Sequence, residues 1–282
     1  MTDYTLILNY YNKPLELMKL HLDHCLEQSM PPKYIFGCFL GLEDKHQHLT
    51  EYFKERTKDM DNVSVIESDF NFKYVGRYQI ALGAPTERII MLDDDRFPQP
   101  NYAKAMMSVL DRGDCLVQQS GWELEIDEKR NFVFEKAVND TFWAVYGTGD
   151  MTGRFLNFKK ERKSEGYNLV PVDYLCGGMA FNRSSLKYLF QEEIPFESGE
   201  DIAFCMRCTK NGIPVFFYAP EDSEAGDSEA LCHDSGGVNL TATDLEIWKY
   251  RSKLIHKELG NPFGEPQFMD VTERYTTAKK KQ

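Results

Sequence analysis

Three consecutive carboxylates, Asp93, Asp94 and Asp95, follow directly on the apolar run Ile89-Ile90-Met91-Leu92. A short apolar run bounded by Pro85 and Pro98 has the signature of a buried strand, so the acids mark that strand's carboxyl end. Carboxylates grouped in this way repel one another unless a cation joins them. Hard oxygen donors favour Mg²⁺ or Mn²⁺, ions that keep coordination positions open for substrate phosphates. The competing reading is a solvated turn or a helix entry with acids near its amino terminus. A second acidic pair, Glu200-Asp201, opens a helical stretch after the turn Pro195-Phe196-Glu197-Ser198-Gly199. It either caps that helix or supplies a general base. Gly177-Gly178 interrupts the apolar segment 172–181, where paired glycines mark close approach by a ligand or another backbone. His233, beside a glycine turn, is a candidate metal ligand. Cys205-x-x-Cys208 is a single pair in a helical context and reads as buried thiols rather than half of a zinc site.

Four β-loop-α units must position these groups. Residues 5–8 form the first strand, 9–14 a loop, and Leu15, Met18, Leu22 and Cys25 a helical stripe. Strands at 34–40 and 63–66 follow, the first leading to a helix with Leu49, Tyr52, Phe53 and Arg56 on one face, the second to a helix carrying Arg77. The fourth strand bears the acids. Such repetition predicts an α/β fold with a mostly parallel central sheet and helices on both faces. In open sheets of this kind ligands bind outside the carboxyl ends of the strands. Further on, the pattern predicts a helix at 101–110, a strand at 115–119, a ribbon at 122–134, a strand at 215–218, a polar loop at 221–229 and a closing helix at 243–259. Residues 146–170 combine four glycines with the basic run Lys159, Lys160, Arg162, Lys163 and predict a loop, either closing over an anionic ligand or solvated. Trp122 and Trp143 line a ligand site or pack in the core.

Composition limits the function. The chain of 282 residues, 42% hydrophobic and 13% aromatic, has enough apolar content for a full core. Its 33 basic against 45 acidic residues give a net charge of −12, which argues against a general nucleic-acid partner. A small anionic substrate must then be met by local features or a metal. No run approaches the roughly 20 apolar residues of a membrane span, and the N-terminus lacks a secretion signal, which predicts a soluble, cytoplasmic protein. Seven cysteines without framework spacing fit reduced thiols. A P-loop is missing. A dehalogenase-type phosphatase needs Thr or Val where this chain has Phe97.

The ordered set of the Asn9-Tyr10-Tyr11-Asn12 loop, Asp93-Asp94-Asp95, Gly177-Gly178, Glu200-Asp201 and His233 resembles the GT-A glycosyltransferases, most closely the inverting family-2-like enzymes, over roughly residues 4–240. Size and lack of an anchor also resemble the soluble glycosyltransferases of large algal viruses. The resemblance implies one GT-A (Rossmann-like) domain over residues 1–265, with a nucleotide-sugar-binding half at 1–112, an acceptor-binding half at 113–265 and a tail at 266–282. It implies metal-dependent, inverting transfer of one sugar, of glucose, galactose or xylose type, from a UDP-sugar to a hydroxyl of a glycan or glycoprotein. Mn²⁺ or Mg²⁺ would be held by Asp95, Asp93 and His233, and Asp93 and Asp94 would also meet the donor. Asn9, Tyr10, Tyr11, Asn12, Asp44, Arg77, Gly177 and Gly178 would line the donor, with Tyr10 or Tyr11 stacking on the base. Asp201, with Glu200 beside it, would be the catalytic base. The alternative is a non-catalytic carbohydrate-binding or degenerate GT-A module, which would not need the carboxylates.

Overall fold

The computed structural model describes residues 3–126, 132–139, 169–218, 227–229 and 245–260. The first four units are β1 (Tyr4–Tyr10) with α1 (Leu15–Leu26), β2 (Tyr34–Leu40) with α2 (His48–Thr57), β3 (Val63–Ser68) with α3 (Gly76–Leu82), and β4 (Arg88–Asp93), followed by β5 (Arg96–Pro98) and α4 (Tyr102–Leu110). Then come β6 (Leu116–Gln118), β7 (Ser120–Ile126), β8 (Phe132–Asn139), β9 (Leu169–Pro171), β10 (Tyr174–Leu175) and β11 (Gly178–Asn182). The described chain closes with α5 (Leu186–Leu189), α6 (Glu200–Lys210), β12 (Val215–Tyr218), β13 (Asp227–Glu229) and α7 (Leu245–Glu258).

Eight strands form the central sheet in the order β3-β2-β1-β4-β11-β6-β12-β9. β1 runs parallel to β2 and β4, β2 to β3, and β6 to β12, whereas β11 and β9 are antiparallel to their neighbours. The predicted α/β class and mostly parallel sheet are thus observed. From β1 the chain steps outward to β2 and β3, then returns to the other side of β1 as β4. The strand order reverses there, and a crevice opens outside the carboxyl ends of β1 and β4, where Asn9 pairs with Asp93.

Period-two alternation divides the core. Leu6, Leu8, Tyr10, Ile90 and Leu92 face α1, α2 and α4, while Ile7, Ile89 and Met91 face α3, α5, α6 and α7. Each fully buried aliphatic or aromatic side chain contributes about 1.5–3 kcal/mol. This alternation corrects the expected end of the first strand. β1 continues through Asn9 and Tyr10, so Tyr10 falls on the same face as Leu6 and Leu8 and its ring is buried. It stacks on Phe39 at 5.3 Å, and its hydroxyl shares a 2.9 Å hydrogen bond with Nδ1 of His21. His21 Nε2 lies 3.6 Å from the Cys25 sulfur, and burial pushes the imidazole pKa down to about 3.

Three other expectations change. The segment 172–181 is not one strand. β10 pairs with β7 in a three-stranded sheet, and the chain crosses at Cys176-Gly177 into the central sheet as β11. The polar stretch near residue 229 contributes β13, which pairs with β5. Residues 169–170, expected in a loop, belong to β9. The rest of that loop, Trp143, His233 and the tail beyond residue 260 lie outside the described residues. Among the described residues no helix is long and apolar enough to cross a membrane.

Candidate active site

The crevice holds Asp94 and Asp95 on the turn that follows β4. The Tyr11 amide donates to Asp94 Oδ2 at 2.9 Å, and Lys13 Nζ stands 3.6 Å from Asp94 Oδ1 and 3.9 Å from Asp95 Oδ2. Asp94 is only 7% exposed. Burial raises its carboxyl pKa from 3.8 to about 7, with Lys13 pulling it down and Asp95 pushing it up. Lys13 balances one of the two charges. Beside it, Asn12 takes a left-handed conformation, φ 50°, which Asn tolerates better than most residues. Its side-chain amide donates to Glu43 Oε1 at 3.1 Å, and the Glu43 amide returns a bond to Asn12 Oδ1 at 3.3 Å. The loops after β1 and β2 are thereby clamped together, with Tyr11 and Asp44 exposed beside them.

Arg77 joins this acidic motif to the second one. Projecting from α3 and 3% exposed, its guanidinium ion-pairs with Asp93 through Nη1 and donates from Nη2 to Glu200 Oε1 at 2.9 Å. Glu200 is equally buried. Burial first, then the neighbouring Asp201, raise its pKa, while Arg77 opposes them. Asp201 Oδ2 lies 3.7 Å from Arg251 Nη2, which reaches in from α7, and its Oδ1 accepts the Ile202 amide at 2.8 Å. Gly199, at φ 87°, precedes α6, and no side chain caps that helix. The capping alternative for Glu200-Asp201 is thus met in part: Gly199 holds the cap position, while Asp201 accepts a first-turn amide. Tyr74 faces the same acids: its phenol pKa is raised by burial first and then by Glu200.

The glycine pair brings a third backbone against β4. The Asp93 amide donates to the Gly177 carbonyl at 3.2 Å. A Cβ on Gly177 would strike the Arg96 guanidinium, and one on Gly178 would strike the Met91 carbonyl. Both residues have positive φ, 72° and 123°, where glycine alone is unstrained. The close approach expected of this pair is thus to the acidic strand's own backbone.

The structure brings Asn9, Tyr11, Asn12, Asp93, Asp94, Asp95, Gly177, Gly178, Glu200 and Asp201 to one edge of the sheet. It corrects three expectations. Tyr10 lies in the core and its ring cannot stack on a base. Arg77 is no surface cation reaching for a nucleotide but a buried tie between two carboxylates. Asp93, expected at the donor or the metal, spends its carboxylate on Arg77. Trp122 stacks on Tyr174 at 6.1 Å with an interplanar angle of 7°, and its indole NH donates to the Cys176 sulfur. It therefore packs. No motif in the sequence singles out Lys13, Tyr74, Arg96 or Arg251. Lys13, between the first strand and Pro14, stood at a recognisable place, whereas nothing in the sequence ties Arg251 to Asp201.

Among the described residues no three His, Cys, Asp or Glu side chains converge to hold a metal. Asp94 and Asp95 nevertheless fit a hard divalent ion. They offer oxygen donors only, they carry more negative charge than Lys13 offsets, and Mg²⁺-type sites need just one or two carboxylates when phosphates complete the shell.

No family model matches the sequence, and no curated protein matches it. Solved structures do resemble the fold. A structure of GalNAc-T7 with UDP, GalNAc and Mn²⁺ aligns at a TM-score of 0.55 and 13% identity over 77% of this chain, which spans only 42% of that one. S. aureus TarS (1–349) aligns at 0.53 and 16% identity, covering 94% of this chain and 67% of TarS. The mannosyltransferase PcManGT from Pyrobaculum calidifontis, solved with GDP-Man and Mn²⁺, aligns at 0.55 and 14% identity, covering 99% and 71%. With its eight-stranded central sheet flanked by helices, the chain has the Rossmann-like GT-A fold of these glycosyltransferases.

Proposed function

We propose that the protein transfers one sugar from a nucleotide-sugar donor, a UDP-sugar, to a hydroxyl of a glycan, with inversion at the anomeric carbon. One observation carries this reading: a single buried guanidinium, Arg77, ties the acidic motif after β4 to the acidic motif that opens α6, on the crevice where the strand order reverses. GalNAc-T7 with UDP and Mn²⁺ and PcManGT with GDP-Man and Mn²⁺ give the donor class its precedent on this fold.

Each side of the crevice then has its task. The loop of Asn9, Tyr11 and Asn12, clamped to Glu43, receives the nucleoside. Asp94 and Asp95 hold Mn²⁺ or Mg²⁺, which when bound neutralises charge on the leaving diphosphate. Asp201 takes the proton from the acceptor hydroxyl. As the acceptor oxygen bonds to the anomeric carbon, the bond from that carbon to the donor phosphate breaks and its electron pair leaves with the diphosphate. Direct displacement of this kind inverts the configuration. Arg251 holds the Asp201 carboxylate in place, and Arg77 keeps Glu200 from competing for the proton.

Thermal unfolding with UDP-, GDP- and CMP-sugars, each with Mn²⁺ and with chelator, tests the donor site, since a ligand of the folded state must raise the midpoint. A metal-dependent shift with UDP-sugars, lost in Asp95→Ala, is the expected result. No shift with any donor refutes the reading and favours a glycan-binding module.

A further inference from the structure

Two segments flank the mouth of the candidate site, the one between β3 and α3 and the one that leads into α6. They are held together at two depths. Below, Arg77 meets Glu200 at 2.9 Å; above, Lys73 forms an ion pair with Glu197. On this upper rung stands an aromatic cluster with no role in the chemistry derived so far. Phe70 is 60% exposed and Phe196 39%, the first and fourth most exposed large hydrophobic side chains among the described residues. Their ring centroids lie 6.5 Å apart at an interplanar angle of 33°, and Phe72 braces Phe70 edge-on at 4.9 Å. Lys73 Nζ sits 5.6 Å from the centre of the Phe196 ring.

Left to itself, this arrangement is costly. Two phenylalanines are kept in water, and Lys73 is held at φ 49°, a left-handed conformation that costs about 1–2 kcal/mol for a residue with a Cβ. The strain is fixed locally: the Lys73 amide donates to Asn71 Oδ1 at 2.7 Å. Strain and exposed aromatic surface that the surroundings hold in place are hallmarks of a binding surface. The chemistry of the surface is mixed in a telling way. Two tilted aromatic faces are bordered by one ammonium and one carboxylate, both partly exposed. A pyranose ring has the matching character, with an apolar face of axial C–H groups and a rim of hydroxyls that both accept and donate. A nucleobase would match the aromatic faces too, but its expected loop is that of Tyr11 and Asn12, clamped to Glu43, whereas Phe196 and Glu197 lie on the segment that leads into Asp201. The Phe70–Phe196 cluster instead continues from Asp201, the residue that meets the acceptor.

We propose that Phe70 and Phe196 form a stacking platform for a hexopyranose ring of the acceptor glycan, with Lys73 and Glu197 bonding its hydroxyls. Naming this ring as the acceptor's rests on the transferase reading; the existence of the platform does not. Ligand-observed NMR on the full chain, with cellobiose, lactose and N,N′-diacetylchitobiose as probes, tests it in wild type, Phe70→Ala, Phe196→Ala and the aromatic replacement Phe196→Trp. Both positions are exposed, and thermal melts verify that the variants fold. The expected result is saturation of ring C–H protons in at least one disaccharide, affinity about tenfold weaker in each alanine variant, retention in Phe196→Trp, and an unchanged thermal shift with UDP-sugar. Absence of disaccharide binding in wild type, or equal binding in the alanine variants, overturns the proposal. So does loss of the UDP-sugar shift in those variants, which assigns the rings to the nucleobase. Disaccharide binding that depends on the two rings, in a protein that no nucleotide-sugar stabilises, upholds the platform and refutes the transferase reading.

Discussion

Two buried polar clusters lie on opposite faces of the same sheet, and they are built on opposite principles. Under α1, the Tyr10 hydroxyl, both ring nitrogens of His21 and the Cys25 sulfur form a neutral chain in which the imidazole has two partners and no charge. At the carboxyl edge, Arg77 and Arg251 stand among Asp93, Glu200 and Asp201, so one carboxylate remains in excess even when every cation is counted against an acid. A neutral satisfied chain stabilises its surroundings and needs nothing more. A charged cluster with an excess carboxylate costs desolvation energy that the fold must offset elsewhere. Burial alone therefore does not distinguish structure from function; the charge balance does.

The largest predicted difference is in turnover. Asp201→Asn keeps the shape of the carboxylate but cannot take a proton, and we expect it to lower the transfer rate by roughly 10² to 10⁴ while nucleotide-sugar binding persists. Tyr10→Phe, in the neutral cluster, should leave turnover unchanged and cost about 1 kcal/mol of stability for one lost hydrogen bond. Initial rates of UDP release for the two variants check this directly. Equal rates for Asp201→Asn and wild type would remove Asp201 from the mechanism.

Stability gives the next contrast. Arg77→Ala leaves the buried Glu200 and the half-buried Asp93 without the cation that both share, and breaking a buried pair from one side typically costs about 3–5 kcal/mol. Arg77→Lys should recover little of it, because a single ammonium cannot serve two carboxylates as the planar fork does. Urea unfolding measures both variants. A loss below about 1 kcal/mol in Arg77→Ala would mean that the acids are not buried against this cation in solution.

The two faces also oppose each other in pH dependence. His21 has a folded pKa of about 3, below its ordinary 6.5, so its contribution is intact above pH 6.5 and falls as the pH drops toward 3. At pH 5 the loss is about 2 kcal/mol. Asp94 runs the other way. Its folded pKa of about 7 lies above the unfolded value of 3.8, so the folded state binds the extra proton, and stability is gained below pH 4 and lost as pH rises through 7. Between pH 6.5 and 5 the two slopes offset each other. His21→Gln should therefore make stability rise on acidification across that interval and Asp94→Asn should make it fall, each by about 2 kcal/mol relative to wild type. Parallel pH profiles for all three proteins would contradict the burial of these groups.

The neutral cluster was the less legible of the two. Period-two alternation of Tyr4, Leu6, Leu8 and Tyr10 was present in the sequence, but Asn9 and the following polar residues resemble a loop, and only pairing with β2 and β4 extends the strand through Tyr10. The sheet itself was legible because four strands end in turn residues and alternate with helical stripes. Both acidic motifs were visible from their places at a strand end and a helix start. Their connection was not. Arg77 reads as one arginine of an amphipathic helix until α3 is packed on the sheet, and Arg251 comes to Asp201 only through the docking of α7 on α6. The glycine pair signalled close approach correctly, yet sequence cannot tell a ligand from a backbone, and here the Met91 carbonyl is the neighbour.

The smallest predicted effect separates strain from bonding at the rim of the charged cluster. Lys73→Gly releases a left-handed φ of 49°, which should return about 1–2 kcal/mol, and sacrifices the exposed ion pair with Glu197, which is worth at most about 1 kcal/mol. Glycine also adds freedom to the unfolded chain, at a cost of roughly 0.5–1 kcal/mol. The three contributions nearly cancel, so the unfolding midpoint in urea should move by less than about 0.5 kcal/mol. The corresponding substitution in the neutral cluster has no strain to release: Cys25→Gly removes a buried thiol from the last turn of α1 and should cost more than about 1 kcal/mol in lost packing. If Lys73→Gly is as damaging as Cys25→Gly, then Lys73 supports the fold rather than the site, and its conformation is held for stability and not for a ligand.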